Sequence, residues 1–265
     1  MRRSQLFWGS ALLLWGLFLL FDQMGLRLPN GNSISSLFWP LALLLAGGWV
    51  LLGVFMRGKI EDENASIDLQ GASSAHVRIN HGAGELKLHG GASPSEVARG
   101  TFAGGLNQKS TRNGDSLDVR MKPAKEFVDF PFFGGGNQLD WDVALNANLP
   151  MALTMNLGAN KAALDLRDLT ITDLKLETGA SETKLTLPSR GRFRADLDLG
   201  AASLEVIVPA GVSARIRATV GAVDLKVDES RFPRSGGYYQ SQDYDTAANA
   251  VDLSVDAGAA SVKIS

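Results

Sequence analysis

No cysteine occurs anywhere in the 265 residues. That excludes a disulfide framework, a thiolate zinc site and a cysteine nucleophile at once. Histidine is scarce as well: His76, His81 and His89 are the only three. Excess charge is lacking too, since a net charge of −2 gives no basic balance to draw nucleic acid. No Gly-x-x-x-x-Gly-Lys-Ser/Thr phosphate loop, no His-Glu-x-x-His motif and no Ser/His/Asp spacing is present. The reading is therefore of a chain that is no enzyme, with no cofactor and no metal. The three histidines, with Glu85 nearby, come nearest to a ligand cluster. Alternation places Val77, Ile79, Leu86 and Leu88 inward, which turns His76 and His89 outward on different strands, and solvent-exposed strand positions are expected for them.

Two long uncharged runs stand at the N-terminus: LFWGSALLLWGLFLLF (6–21) and SISSLFWPLALLLAGGWVLLGVFM (33–56). A helix needs about 20 residues to cross a bilayer core, and it pairs every backbone group internally. Trp8, Trp15, Trp39 and Trp49 lie in or beside the runs, where interfacial tryptophan is common. The start MRR also suits a signal peptide, but the first run leads into DQMGLRLPNGN with no small-x-small cleavage site. The expectation is an α-helical transmembrane hairpin over 1–58, in a lipid bilayer, with a tight loop at 22–32. Arg2, Arg3, Arg57 and Lys59 flank the runs and only Arg27 lies between them, which predicts both termini in the cytoplasm. A linker is expected over 59–74. From residue 60 onward 21 basic and 27 acidic side chains give a net charge of −6, unsuited to anionic lipid or phosphate backbones.

The remainder repeats itself. Gly-Ala pairs begin at Gly82, Gly158, Gly179, Gly200, Gly221 and Gly258, and the four from Gly158 to Gly221 are spaced by 21 residues. A fixed period is the mark of a stacked architecture. An alternating strand precedes each pair (LTMNLG, LKLETG, ADLDLG, IRATVG) and a second follows it (ALDL, TKLTLP, SLEVIVP, VDLKV). Leu164, Leu185, Val206 and Val227 form one apolar column at steps of 21. The pair thus reads as a corner between two strands. There glycine either takes a positive φ or lets a neighbouring backbone come close, and the next rung lies about 4.8 Å above. The predicted fold of 75–265 is all-β: solenoid-like rungs of 21 residues with Gly-Ala corners. Within it, 91–150 is an irregular excursion with a hairpin at Asn113-Gly114, and 228–250 is an insertion before a last rung, 251–264.

Two loops stand out. EFVDFPFFGGGNQLDW (126–141) gathers aromatic residues around three glycines, and Phe130, Phe132, Phe133 and Trp141 are the candidate interaction residues. RFPRSGGYYQSQDYD (231–245) carries Tyr238, Tyr239 and Tyr244, expected to pack that loop onto the stack. Asp165, Glu182, Asp196, Asp198, Glu205 and Asp224 fall at outward strand positions among Lys and Arg, a mixed solvated face and not a catalytic pair.

The chain resembles membrane proteins of the LiaF-like group, whose soluble part is a toast-rack domain. Trp39-Pro40 opening the second run, with Gly16, Gly48 and Gly53 in the runs, is similar to that group's paired-span region. The segments LPMALTMNLGANKAALDLRDLTITDLKLETGASETKLTLP and VPAGVSARIRATVGAVDLKV resemble toast-rack rungs. The resemblance implies a regulator of bacterial cell-envelope stress signalling that acts on a membrane sensor kinase, and related domains are described as candidate adhesins. The main expectation is a membrane-anchored interaction module of that kind. The alternatives are a polymerising β scaffold, with homo-oligomers, and a surface adhesin.

Overall fold

The computed structural model describes residues 62–124, 139–221 and 224–265, together with six isolated residues between 15 and 44. Ladder strands dominate it. The first five are β1 (Asp62–Asp68), β2 (Ser74–Gly90), β3 (Glu96–Ala103), β4 (Leu106–Asn113) and β5 (Ser116–Pro123). Next come β6 (Trp141–Leu145), β7 (Met151–Asp165), β8 (Ile171–Thr178), β9 (Glu182–Thr186), β10 (Arg192–Leu199) and β11 (Ser203–Ile207). The last six are β12 (Ser213–Val220), β13 (Asp224–Val227), β14 (Arg234–Ser235), β15 (Tyr238–Gln240), β16 (Ala250–Ala257) and β17 (Ser261–Ile264).

This corrects the expected fold class. From residue 62 onward the described structure is all-β, and among the described residues no helix is long and apolar enough to cross a membrane. The helical hairpin over 1–58 is not found. Apart from the six isolated residues, the two runs behind it lie outside the described residues. An apolar run sets an affinity for a dry environment but does not by itself fix the secondary structure. The stretch read as a linker, 59–74, contains β1, which pairs antiparallel with β3 from Asp62↔Ala103 to Ile67↔Ala98.

Two parallel ladders make up the stack, each strand burying one face because its side chains alternate. In the first ladder the neighbours run β5, β2, β7, β8, β10, β16, β12. In the second they run β6, β2, β7, β9, β11, β17, β13. The two long strands β2 and β7 pass through the corner and belong to both ladders, while later rungs divide there into two strands. Val119, Val77, Leu153, Leu174, Ala195, Leu253 and Ile216 form one continuous column in register, and all seven are 0–1% exposed. Such columns from both ladders meet in a single apolar core.

Rung order in space differs from rung order in the chain. The C-terminal rung, β16 with β17, is not the end of the stack. It lies between β10–β11 and β12–β13. Gly258 N donates to Leu199 O at 3.0 Å, and Gly221 N donates to Ala257 O at 3.0 Å. The apolar column with Leu164, Leu185 and Val206 therefore continues through Ile264 before it reaches Val227. The insertion 228–250 makes this order feasible by carrying the chain back past β12. Arg215 holds it, with its guanidinium 4.3 Å from the Tyr244 ring centroid and Nε donating to Gln240 Oε1 at 2.6 Å. Tyr244 is buried, Tyr238 and Tyr239 are half-buried, and Phe232 is core. Gly191 N donates to Asn249 Oδ1 and Ala250 N to Gly191 O, both at 2.9 Å, which sets β16 in register on β10.

The excursion 91–150 is more regular than its sequence. Its β5 and β6 pair parallel with the two halves of β2, so together they form a further rung interrupted at the corner. Asn113↔Ser116 closes the expected hairpin, with Gly114 at φ 60°. At this end β4 covers the first ladder, and β3 with β1 covers the second, all antiparallel.

Candidate functional site

The six corner glycines stack in the order Gly82, Gly158, Gly179, Gly200, Gly258, Gly221. A Cβ on Gly158 would lie 2.3 Å from the Gly82 carbonyl oxygen, and one on Gly200 or Gly221 would lie 3.0 Å from the oxygen of Gly179 or Gly258. None of the six has a positive φ. Close backbone approach, and not left-handed geometry, therefore selects glycine at Gly158, Gly200 and Gly221. Gly-Ala also occurs at 71–72 and 91–92, where glycine does take a positive φ, 70° and 136°, in ordinary turns. The period marks a corner; the dipeptide alone does not.

His81 lies just before the first corner and is buried, against the expectation of an exposed position. Its Nε2–H donates to Leu139 O at 2.6 Å, and its Nδ1 accepts from Asn160 Nδ2 at 3.3 Å. Burial lowers its pKa below the usual imidazole value, although the Leu139 carbonyl and Asp140 pull the other way. The ring is thus neutral, with its proton on Nε2. His76 and His89 do face outward, but from opposite halves of the one strand β2. His76 is half-buried against Arg78 and Thr154, and His89 meets Asp142 at 3.0 Å. Among the described residues no group of carboxylates and imidazoles is arranged to hold a metal ion.

Of the candidate interaction residues, Phe130, Phe132 and Phe133 lie outside the described residues. Trp141 is corrected: it is a core side chain, 1% exposed. Its ring meets Phe102 edge-on at 4.9 Å, and Nε1–H donates to Ala103 O at 3.4 Å. Alternation along β6 turns Trp141, Val143 and Leu145 inward, and in sequence that signal was outweighed by the aromatic loop just before it.

The outer face of the second ladder is charged. In register across it run Lys184, Glu205, Lys263 and Lys226. Glu205 lies between two lysines, 3.8 Å from Lys184 and 3.0 Å from Lys263, and the Lys263 hydrogen bond holds its carboxyl below the usual range. Lys226 meets Asp224 on its own strand at 3.0 Å. An open groove of about 630 Å³ crosses the opposite end of this ladder, over Asn64, His89, Arg99, Thr101 and Asp142. Thr101 Oγ1 already donates to Asn64 Oδ1 there at 2.8 Å.

The two ends of the stack are unequal. β12 is continued by β15 at Arg215 and Ile216, and β15 by β14. β13 pairs with β17 alone among the described residues. Leu225 and Val227 are only partly buried, whereas the neighbouring Val262 and Ile264 are 0% and 1% exposed. This half-open terminal edge was hidden from the sequence. Counting in steps of 21 made β13 an interior rung and 251–264 the end.

A family model described as "N-terminal domain of toast_rack, DUF2154" matches residues 56–207, more than half of the chain. The chain belongs to the toast-rack family. Its fold is similar to that of a candidate cell adhesion protein from Clostridium sporogenes, with TM-score 0.69, 17% identity, and 77% of this chain and 98% of that one covered. At this identity the likeness shows the fold. Two further matches are a candidate adhesin from Bacteroides fragilis (TM-score 0.22, 6% identity, 79% and 98% covered) and a candidate lipid binding protein from Parabacteroides distasonis (TM-score 0.20, 8% identity, 77% and 96% covered). Their TM-scores carry no argument. No curated protein matches. The toast-rack rungs read from the sequence are thus shown. Membership of the LiaF-like group is not.

Proposed function

We propose that this toast-rack chain is a non-enzymatic binding scaffold of the adhesin-like kind. One observation carries the reading: a stack of parallel rungs around one core, covered by antiparallel strands at one end and half-open at β13 at the other. A covered end and a partly open end suit a scaffold that engages a partner at one place. End-to-end growth through the terminal rungs foreseen from sequence does not suit it. The rung starting near residue 75 lies beneath β5 and β6, and the rung ending at Ile264 is interior. The name of the Clostridium sporogenes neighbour agrees with adhesion. Regulation of a membrane sensor kinase rests on the family likeness alone, and no feature of the described residues favours it.

The test is adhesion itself. Beads coated with the chain are presented to bacterial cells, and antibodies against residues 62–265 are applied to intact cells that make the protein. Bead attachment and surface labelling are expected. Labelling only after permeabilisation, with no attachment, would overturn the adhesin-like reading.

A further inference from the structure

We infer that the β13 edge binds one extended strand of a partner protein, added in parallel register, with apolar residues alternating around an acidic residue beside Lys226. This rests on the reading of the chain as a binding scaffold and names the kind of partner it takes.

Backbone chemistry comes first. Asp224 N donates to Ala260 O at 3.2 Å and Asp228 N to Ile264 O at 2.9 Å, so these N–H groups face β17. Successive residues of a parallel ladder point in alternate directions, so the N–H and C=O groups of Leu225 and Val227 face away from β17. Donors and acceptors spaced in this way are matched by another extended strand. The inward side chains agree, because Leu225 and Val227 continue columns that every earlier rung keeps buried, apolar throughout except for Thr183. Beside this edge, β15 and β14 already extend the first ladder past β12. The vacancy is therefore confined to the second ladder.

Charge then selects the occupant. In the outward row Glu205 sits between Lys184 and Lys263 and contacts both. Lys263 is followed in register by Lys226, two like charges side by side. An acid on the next strand would stand to Lys226 as Glu205 stands to Lys263. A four-residue edge bearing Asp224 and Lys226 is also short and charged enough to discourage indiscriminate pairing.

The stack supplies its own probe. Strand β11 pairs parallel with β17, with Leu204↔Val262, Glu205↔Lys263 and Val206↔Ile264. A labelled peptide Ala-Ser-Leu-Glu-Val-Ile-Val, the sequence of residues 202–208, can offer the same pattern to β13. Its binding to the full chain is read by fluorescence anisotropy, next to a peptide with Lys in place of Glu. The Glu peptide should bind about fivefold tighter than the Lys peptide, and K226E should reverse that order. Leu225→Pro removes the N–H that faces away from β17 and also trims a partly buried side chain, so it is read beside Leu225→Ala, which trims the side chain alone: the Pro variant should abolish binding of both peptides, whereas the Ala variant should keep it. No binding, or the same peptide order in wild type and K226E, would overturn the inference. Sedimentation supplies another contrary result: self-association of wild type that L225P abolishes would make a second copy the occupant. Bead adhesion separates the two levels. Adhesion that persists in L225P without peptide binding rejects this edge and leaves the adhesin-like reading standing, whereas wild-type beads that fail to adhere reject that reading.

Discussion

Gly158 shows how one missing side chain supports the stack. Its Cβ position lies 2.3 Å from the backbone of Gly82, while at Gly82 itself no atom comes within 4 Å. Gly158→Ala must therefore push two strands apart and is expected to cost at least about 2 kcal/mol in urea unfolding. Gly82→Ala should stay within about 1 kcal/mol. Equal losses at the two sites would contradict the close-approach explanation. His81 gives a prediction in pH. Its folded-state pKa is lowered by burial from the ordinary value of 6.5, and that of half-buried His76 is lowered by burial and by Arg78. Well above pH 6.5 both rings are neutral, folded or unfolded, and contribute no pH dependence. Below it the unfolded chain takes up protons that the folded chain resists, so stability falls with acidity. His81→Asn should flatten the acid side of a stability–pH curve more than His76→Asn does. A wild-type curve that is level from neutral pH to pH 5 would contradict the buried neutral ring.

Among the elements, those with the plainest period were legible. The rungs from β7 to β11 follow directly from alternation and the 21-residue step, because each side chain's direction is set locally by the pleat. The hairpin at Asn113 was legible for the same local reason. Strand β1 was not: in DENASID only Ala65 and Ile67 are apolar, and it is held by pairing to β3 and not by its own pattern. β5 and β6 were hidden as one rung because 17 residues separate them in the chain. The C-terminal element gives a sharper test. β10 and β12 both pair with β16 and, among the described strands, not with each other. A chain ending at Asn249 should lose the attachment of β12–β15, become protease-sensitive between 209 and 249, and bind ANS. Truncation with unchanged protection of that segment would show that β12 docks without β16.

At the scale of the whole molecule, sequence period and spatial order part company, and the difference bears on function. The period is a local property and correctly identified the rungs. Their order depends on where the 228–250 insertion returns the chain, which is decided by long-range contacts such as Arg215 on Tyr244 and Asn249 on Gly191. Only that order leaves β13 at the end of the second ladder, and both the scaffold reading and the partner-strand inference depend on it. One measurement tests it most directly. The chain has no cysteine, so pairs can be introduced on the exposed outer face without competition. In the structure Lys226 is opposite Lys263, whereas a 21-residue step in the chain would put it opposite Glu205. Neighbouring strands are about 4.8 Å apart, within disulfide reach, and next-but-one strands are not. Mild oxidation should therefore crosslink the double variant K226C/K263C and leave E205C/K226C reduced. A disulfide in E205C/K226C, with none in K226C/K263C, would contradict the rung order and remove the open edge from β13.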